Sequence, residues 1–153
     1  MTTSTELTIS RIFEAPPELV YRAFVDADQL PQWFGPVGYS VPYESVQSDA
    51  EVGGHQRLVM VNDKDPADRS TIDTTFTEVV ENELLVGHQD VPGLPGATGT
   101  VRFRIRLEFH GEPGGKTRLE LRQGPFREGV GGDASQGWES SFTRLDSLLR
   151  RSL

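Results

Sequence analysis

Phe13-Glu14-Ala15-Pro16-Pro17 and Trp33-Phe34-Gly35-Pro36 bracket the stretch that decides the fold of this chain. Upstream of the first motif, Glu6 to Glu14 alternates. Leu7 and Ile9 fall on one face and Thr8 and Ser10 on the other, which predicts a β-strand. Pro16-Pro17 pre-sets φ for a first helical turn, with Glu18 at the positive end of the helix dipole. Leu19, Val20, Ala23 and Phe24 then recur at helical spacing, flanked by Tyr21. Asp26 and Asp28 are suited to cap a second helix. Asp28 to Phe34 reads as that helix, a short one ended by Gly35-Pro36.

Beyond Pro36 the chain reads as strands separated by turn residues. Val37 to Ser48 is the first, and Pro42 within it predicts an edge strand or a bulge. Gly53-Gly54 turns into a strand from His55 to Asn62. The polar turn 63–68 leads to Ser70 to Val80, and then Glu83 to Gln89. Asp90 to Gly99, with two prolines and three glycines, is predicted to be a mobile loop. Val101 to His110 alternates most clearly: Val101, Phe103, Ile105, Leu107 and Phe109 against Arg102, Arg104, Arg106 and Glu108. After a turn at 111–115, Lys116 to Gln123 returns with Leu119 and Leu121 inward. The glycine-rich stretch 124–132 precedes a final helix capped by Asp133. Trp138, Phe142, Leu145, Leu148 and Leu149 form its apolar stripe, and Arg150 and Arg151 suit its negative end.

The order is strand, two short helices, five or six antiparallel strands, one long helix. It predicts a single α+β domain over 1–153, in which a twisted antiparallel sheet of about seven strands wraps the terminal helix. A helix gripped in this way tends to leave a cavity against the sheet.

The chain of 153 residues carries a net charge of -8 and has a pI near 4.8. That balance speaks against nucleic acid and anionic membrane surfaces as partners. Without cysteine there is no disulfide, thiolate metal site or cysteine nucleophile. The opening Met1-Thr2-Thr3-Ser4-Thr5 lacks the basic and apolar regions of a signal peptide. No apolar run approaches the ~18 residues of a membrane helix. The expectation is a soluble cytoplasmic protein.

The element order and several short motifs resemble the SRPBCC (START-like, helix-grip) superfamily. Within it they look like homologues of the activator of the heat-shock-protein-90 ATPase. The residues that carry the resemblance are Arg11, Ala15-Pro16, Val20-Tyr21-x-Ala23-Phe24, Trp33-Phe34-Gly35-Pro36, Gly53-Gly54, Met60, Thr117-Arg118-Leu119 and Gly137-Trp138. The resemblance implies the helix-grip fold and a cavity that in some relatives holds lipids, aromatic polyketides or other apolar molecules. It implies no invariant catalytic residue, and the expectation is a binding module without cofactor or metal. Two positions where relatives commonly carry an aromatic residue are Gln56 and His88 here, which predicts a more polar pocket.

The candidate cavity residues are Trp33, Phe34, Gln56, Met60, Phe76, His88, Phe103, Trp138 and Phe142. Leu84, Val86 and His88 share a strand face, read as inward. There His88 would serve as a general base or a hydrogen-bond partner of a ligand; the alternative is a histidine satisfied by a neighbour or at the rim. Gln56, Leu58 and Met60 share one wall, with Gln56 orienting a polar ligand group and Met60 adapting its shape, or with Met60 filling the core and Gln56 frayed and bridged by water. Most of the aromatic set (Tyr21, Phe24, Trp33, Phe34, Phe76, Phe103, Trp138, Phe142) is core, and Trp33, Phe34, Trp138 and Phe142 are the favoured lining. Arg102, Arg104 and Arg106 fall on the solvent face, paired with Glu108 and Glu120. His55, His88 and His110 lie on different strands with no histidine-histidine ligand spacing, so no metal is expected.

These residues are compatible with three roles. The first is a module binding a hydrophobic or aromatic small molecule. The second is a polyketide cyclase-like or hydrolase-like enzyme using His88 and Gln56. The third is a chaperone contact through the acidic surface. The edge position of 37–48 also points to a homodimer, with Pro42 limiting the length of strand pairing.

Overall fold

The computed structural model describes residues 5–92, 100–126 and 131–152. β1 (Thr5–Phe13) leads into α1 (Pro17–Val25) and the single-turn α2 (Leu30–Trp33). Two short strands come next, β2 (Tyr39–Ser40) and β3 (Gln47–Ser48). Then come β4 (His55–Asn62), β5 (Arg69–Val80), β6 (Leu84–Pro92), β7 (Thr100–Glu112), β8 (Lys116–Phe126) and the long α3 (Gly131–Ser152). The sheet has eight strands in the order β1-β8-β7-β6-β5-β4-β2, with β3 also on β4, and every pairing is antiparallel. It is a curled sheet gripping a terminal helix, as the sequence predicts.

The double proline works as expected. Pro16 is extended, with ψ 158°, and Pro17 is the first helical residue. The start of α2 is later than predicted, because Asp26 builds a turn of its own. Its carboxylate accepts the backbone N–H of Asp28 (2.8 Å) and the side-chain amide of Gln29 (3.2 Å). Asp28 caps nothing; it accepts the hydroxyl of Tyr43. Gly35, at φ +101°, then turns the chain out of α2.

The segment 37–48 is not the continuous strand expected. Pro42 opens a single 3-10 turn over Tyr43–Ser45, and only the flanking β2 and β3 pair with β4. Between them the hydroxyl of Ser45 accepts the Val59 N–H at 3.3 Å, so a side chain covers part of the gap in the ladder. The segment does lie at a sheet edge, but an edge broken in this way offers little for a second chain to pair with. Gly54 is required by close approach: a Cβ there would lie 2.2 Å from the carbonyl oxygen of Asp49.

The inward face of β6 is Leu85, Gly87 and Gln89, not Leu84, Val86 and His88. The register settles it. Leu85, Gly87 and Gln89 pair with the inward Leu107, Ile105 and Phe103, while His88 pairs with the exposed Arg104. Three apolar residues in a row, Leu84-Leu85-Val86, hide the parity of this strand, and a slip of one residue exchanges its faces.

Of the expected loop 90–99, Asp90 to Pro92 continues β6, and 93–99 lies outside the described residues. β8 runs on into the glycine-rich stretch as far as Phe126. α3 begins at Gly131, before the expected cap Asp133, whose side chain lies outside the described set.

The core lies between the sheet and α3. Phe13, Trp33, Leu119, Leu121, Phe142 and Leu145 are all essentially inaccessible. Phe13 meets Phe142 edge to face at 5.6 Å, and Phe24 meets Trp33 at 4.8 Å. The Trp33 indole donates to the Ala23 carbonyl at 2.9 Å, which ties α2 to α1. α3 is clamped on two sides. Arg11, on β1, donates to Asp146 (2.7 Å) and Glu139 (3.3 Å). Arg144 donates to the carbonyls of Phe34, Gly35 and Tyr39 at 3.1–3.4 Å, and Ser140 accepts the N–H of Val37 at 2.8 Å.

Candidate functional site

A pocket lies between the short helices, the inner face of the sheet and α3 at Trp138. Phe24 and Phe34 wall it from the short helices, and Gln56, Thr74, Phe76, Leu85, Gln89, Ile105 and Leu107 from the sheet. Trp138 closes it from α3. Its volume is about 20 Å³, room for a single water molecule. The walls are mostly apolar.

Two polar systems interrupt them. In the first, the Trp138 indole N–H donates to Gln123 Oε1 at 2.8 Å, and Gln123 Nε2 donates to Gln89 Oε1. Gln89 and Gln123 are both buried, so this relay satisfies amides that would otherwise be costly in an apolar wall. In the second, Gln56 Nε2 donates to the Phe24 carbonyl at 2.7 Å and to Ser48 Oγ at 3.3 Å. Ser48 in turn donates to the Val25 carbonyl at 2.6 Å. The orphan carbonyls at the end of α1 are thus taken up by β3 and β4. Among the described residues, none that lines the pocket is titratable. Below α1, Tyr21 packs on Phe109, and burial, together with the charge of Glu81, holds its phenol above its ordinary range and so protonated.

The sequence candidates separate in space. Phe34, Gln56, Phe76 and Trp138 line the pocket. Phe142 and Trp33 stand behind the lining: Phe142 lies 5.6 Å from Trp138 and stacks on Trp33 at 6.5 Å. Phe103 faces inward beside Gln89 but is not part of the wall. Met60 packs against the core margin near Gly35. His88 is on the opposite face of the sheet and cannot reach the interior.

Sequence reading missed Thr74, Gln89 and Gln123. Gln123 was within reach, because it continues the inward parity of Leu119 and Leu121. Gln89 was hidden by the face assigned to β6. On the outer face Arg102 pairs across strands with Asp90 at 2.9 Å, whereas Arg106 finds Glu108 on its own strand at 2.8 Å, and Glu120 is taken by Arg118.

The family model described as activator of Hsp90 ATPase homolog 1-like protein matches residues 14–150. No curated protein matches the chain significantly. Solved structures share the fold across nearly their whole length. A protein named for the same activator from Silicibacter pomeroyi superposes with a TM-score of 0.82 at 23% identity, covering 97% of this chain and 100% of that one. A Chromobacterium violaceum protein superposes at 0.81 and 22% identity, covering 95% and 97%. One from Mycobacterium smegmatis superposes at 0.77 and 19%, covering 97% and 95%.

Proposed function

The chain belongs to the activator of Hsp90 ATPase homolog 1-like family, and from that premise we propose that it binds a small, flat, mostly apolar molecule between the sheet and α3. The observation that carries the reading is the Trp138–Gln123–Gln89 relay in an otherwise apolar wall. Aliphatic side chains at these two positions would pack without hydrogen-bonding needs, so two buried amides beside an apolar wall suit a site that meets a polar group of a ligand. Gln89 and Trp138 are the relay members that line the pocket, so the molecule we infer carries a carbonyl or hydroxyl on a flat apolar body to meet their polar atoms.

The pocket is closed in this form. Ligand sites of drug-sized molecules run to ~300–1,000 Å³, so binding draws on a more open conformer. Trp138 is the element to move. One hydrogen bond and its contacts with Phe34 and Phe142 hold it in place, and its side chain is half-buried. Rotating it outward costs about 1–3 kcal/mol for the unpaired relay, an amount that ligand contacts offset. Phe34, Gln56 and Phe76 would then contact the ligand, with Met60 and Phe103 at the margins and Trp33 and Phe142 as the rigid backing.

An enzyme acting on such a ligand is the weaker reading. His88 lies outside, and the described lining holds no general acid or base.

The test is native mass spectrometry of protein purified from its own host, then NMR titration with planar probes such as indole, 1-naphthol and naphthalene. A co-purifying small molecule, or a shift of the Trp138 indole N–H with 1-naphthol exceeding that with naphthalene, supports the reading. An empty protein whose Trp138 signal is unmoved by every probe overturns it.

A further inference from the structure

The outer face of the sheet holds a second constellation, unconnected with the pocket. Glu108 and His110 are two residues apart on β7, so both point outward, and Glu120 is the direct cross-strand partner of Glu108 on β8. Two carboxylates placed opposite each other repel. Here they converge on one imidazole: His110 Nε2 lies 3.0 Å from Glu108 Oε1 and 3.7 Å from Glu120 Oε2. One ligand atom from each of the three residues falls within 4.8 Å of the others.

We propose that Glu108, His110 and Glu120 form a site for a divalent transition-metal ion, with zinc the best match to its donor set. The chemistry is one imidazole nitrogen and two carboxylate oxygens, a combination that suits zinc, with a fourth position left for water. Zinc bonds of about 2.0–2.2 Å in tetrahedral geometry separate ligand atoms by roughly 3.3–3.5 Å. The observed 3.0 and 3.7 Å lie on either side of that range, and the two carboxylate oxygens fall within 4.8 Å of each other, so an ion would draw the three side chains together.

The division of each carboxylate supports the same assignment. Glu108 turns Oε1 to His110 and Oε2 to Arg106, which donates at 2.8 Å. Glu120 turns Oε2 to His110 and Oε1 to Arg118. Each carboxylate therefore has one oxygen anchored by a guanidinium and the other presented to the centre, as an outer shell orients metal ligands. The charges also close. Arg118 is shared with Glu112 at 2.9 Å and Arg106 faces Glu78 at 3.9 Å, so a dication between Glu108 and Glu120 leaves the cluster neutral. The histidine spacing on which sequence reading turned could not show this, because two of the three ligands are glutamates on adjacent strands.

The experiment uses tag-free, chelator-stripped full-length protein. Zinc titration by calorimetry, and cobalt titration by visible absorption, are expected to give one ion per chain. Zinc is also expected to raise the thermal midpoint, since it binds the folded state. His110→Ala and Glu120→Gln are expected to weaken zinc at least tenfold and to remove the midpoint shift. His55→Ala, at a separate histidine paired with Asp73, is expected to change nothing. No stoichiometric binding overturns the proposal, as does binding that survives His110→Ala or that is lost in His55→Ala.

Discussion

The indole of Trp138, on α3, donates to the side-chain oxygen of Gln123, on β8, at 2.8 Å, and through it reaches Gln89 on β6. Gln123 is the middle member, so Gln123→Leu strands a donor and an acceptor at once. We expect it to destabilise the fold by about 2–3 kcal/mol, against about 1 kcal/mol for Gln89→Leu, which strands one group. Urea denaturation of the two variants checks the order; equal losses would mean that the relay does not act as a unit.

Trp33 is fully buried and donates to the Ala23 carbonyl at 2.9 Å. Trp33→Phe keeps an aromatic ring but leaves that carbonyl unpaired and a void beside Phe24. A loss of about 2–4 kcal/mol is expected. A near-neutral effect on the thermal midpoint would show that the α1–α2 junction repacks freely.

Arg11 joins β1 to α3 through Asp146 and Glu139, with its side chain about three-quarters buried (23% exposed). A partly desolvated, hydrogen-bonded pair contributes more than a surface one. Arg11→Met is expected to cost about 1–2 kcal/mol. Arg57→Met, at a side chain 56% exposed, is expected to cost less than about 1 kcal/mol. Parallel denaturation curves with and without salt would show a salt-sensitive loss at Arg57 and a weakly sensitive one at Arg11.

Asp73 supplies a pH dependence. Partial burial works against its ionisation, but hydrogen bonds from Arg57 and His55 win and hold its carboxyl below the ordinary range. A depressed carboxyl contributes stability that is present above its unfolded pKa, about 3.9, and that is lost as pH falls through the lower folded value. Asp90, held down by Arg102, adds in the same direction. Asp73→Asn is therefore expected to flatten the acid limb of the stability curve below about pH 5. An unchanged acid limb would show that the ion pair does not persist in solution.

Local chemistry explains which parts of this architecture are legible in the sequence. β7 can be read residue by residue, because one of its faces is apolar and the other charged. The double proline and Gly35-Pro36 mark helix ends by sterics alone. The segment 37–48 cannot be read, because its conformation depends on the Ser45 hydroxyl meeting a backbone N–H on another strand. The faces of β6 are exchanged in the sequence reading because its apolar residues are consecutive. That one error puts His88 into the pocket and keeps Gln89 out. The aromatic candidates at the pocket are visible as residue types, but nothing in their spacing separates the lining Trp138 and Phe34 from the supporting Trp33 and Phe142. That distinction arises from the tertiary packing, in which Phe142 stacks behind Trp138 and against Trp33.

The described lining of the pocket is built from amides, one hydroxyl, an indole and hydrocarbon. None of these groups gains or loses a proton in the range where the protein stays folded. The described lining therefore has no protonic handle. On the proposed reading, a ligand there would be recognised by shape and by neutral hydrogen bonds, and its retention is expected not to change with pH. On that reading, control over loading would rest with whatever governs the angle of a single indole ring.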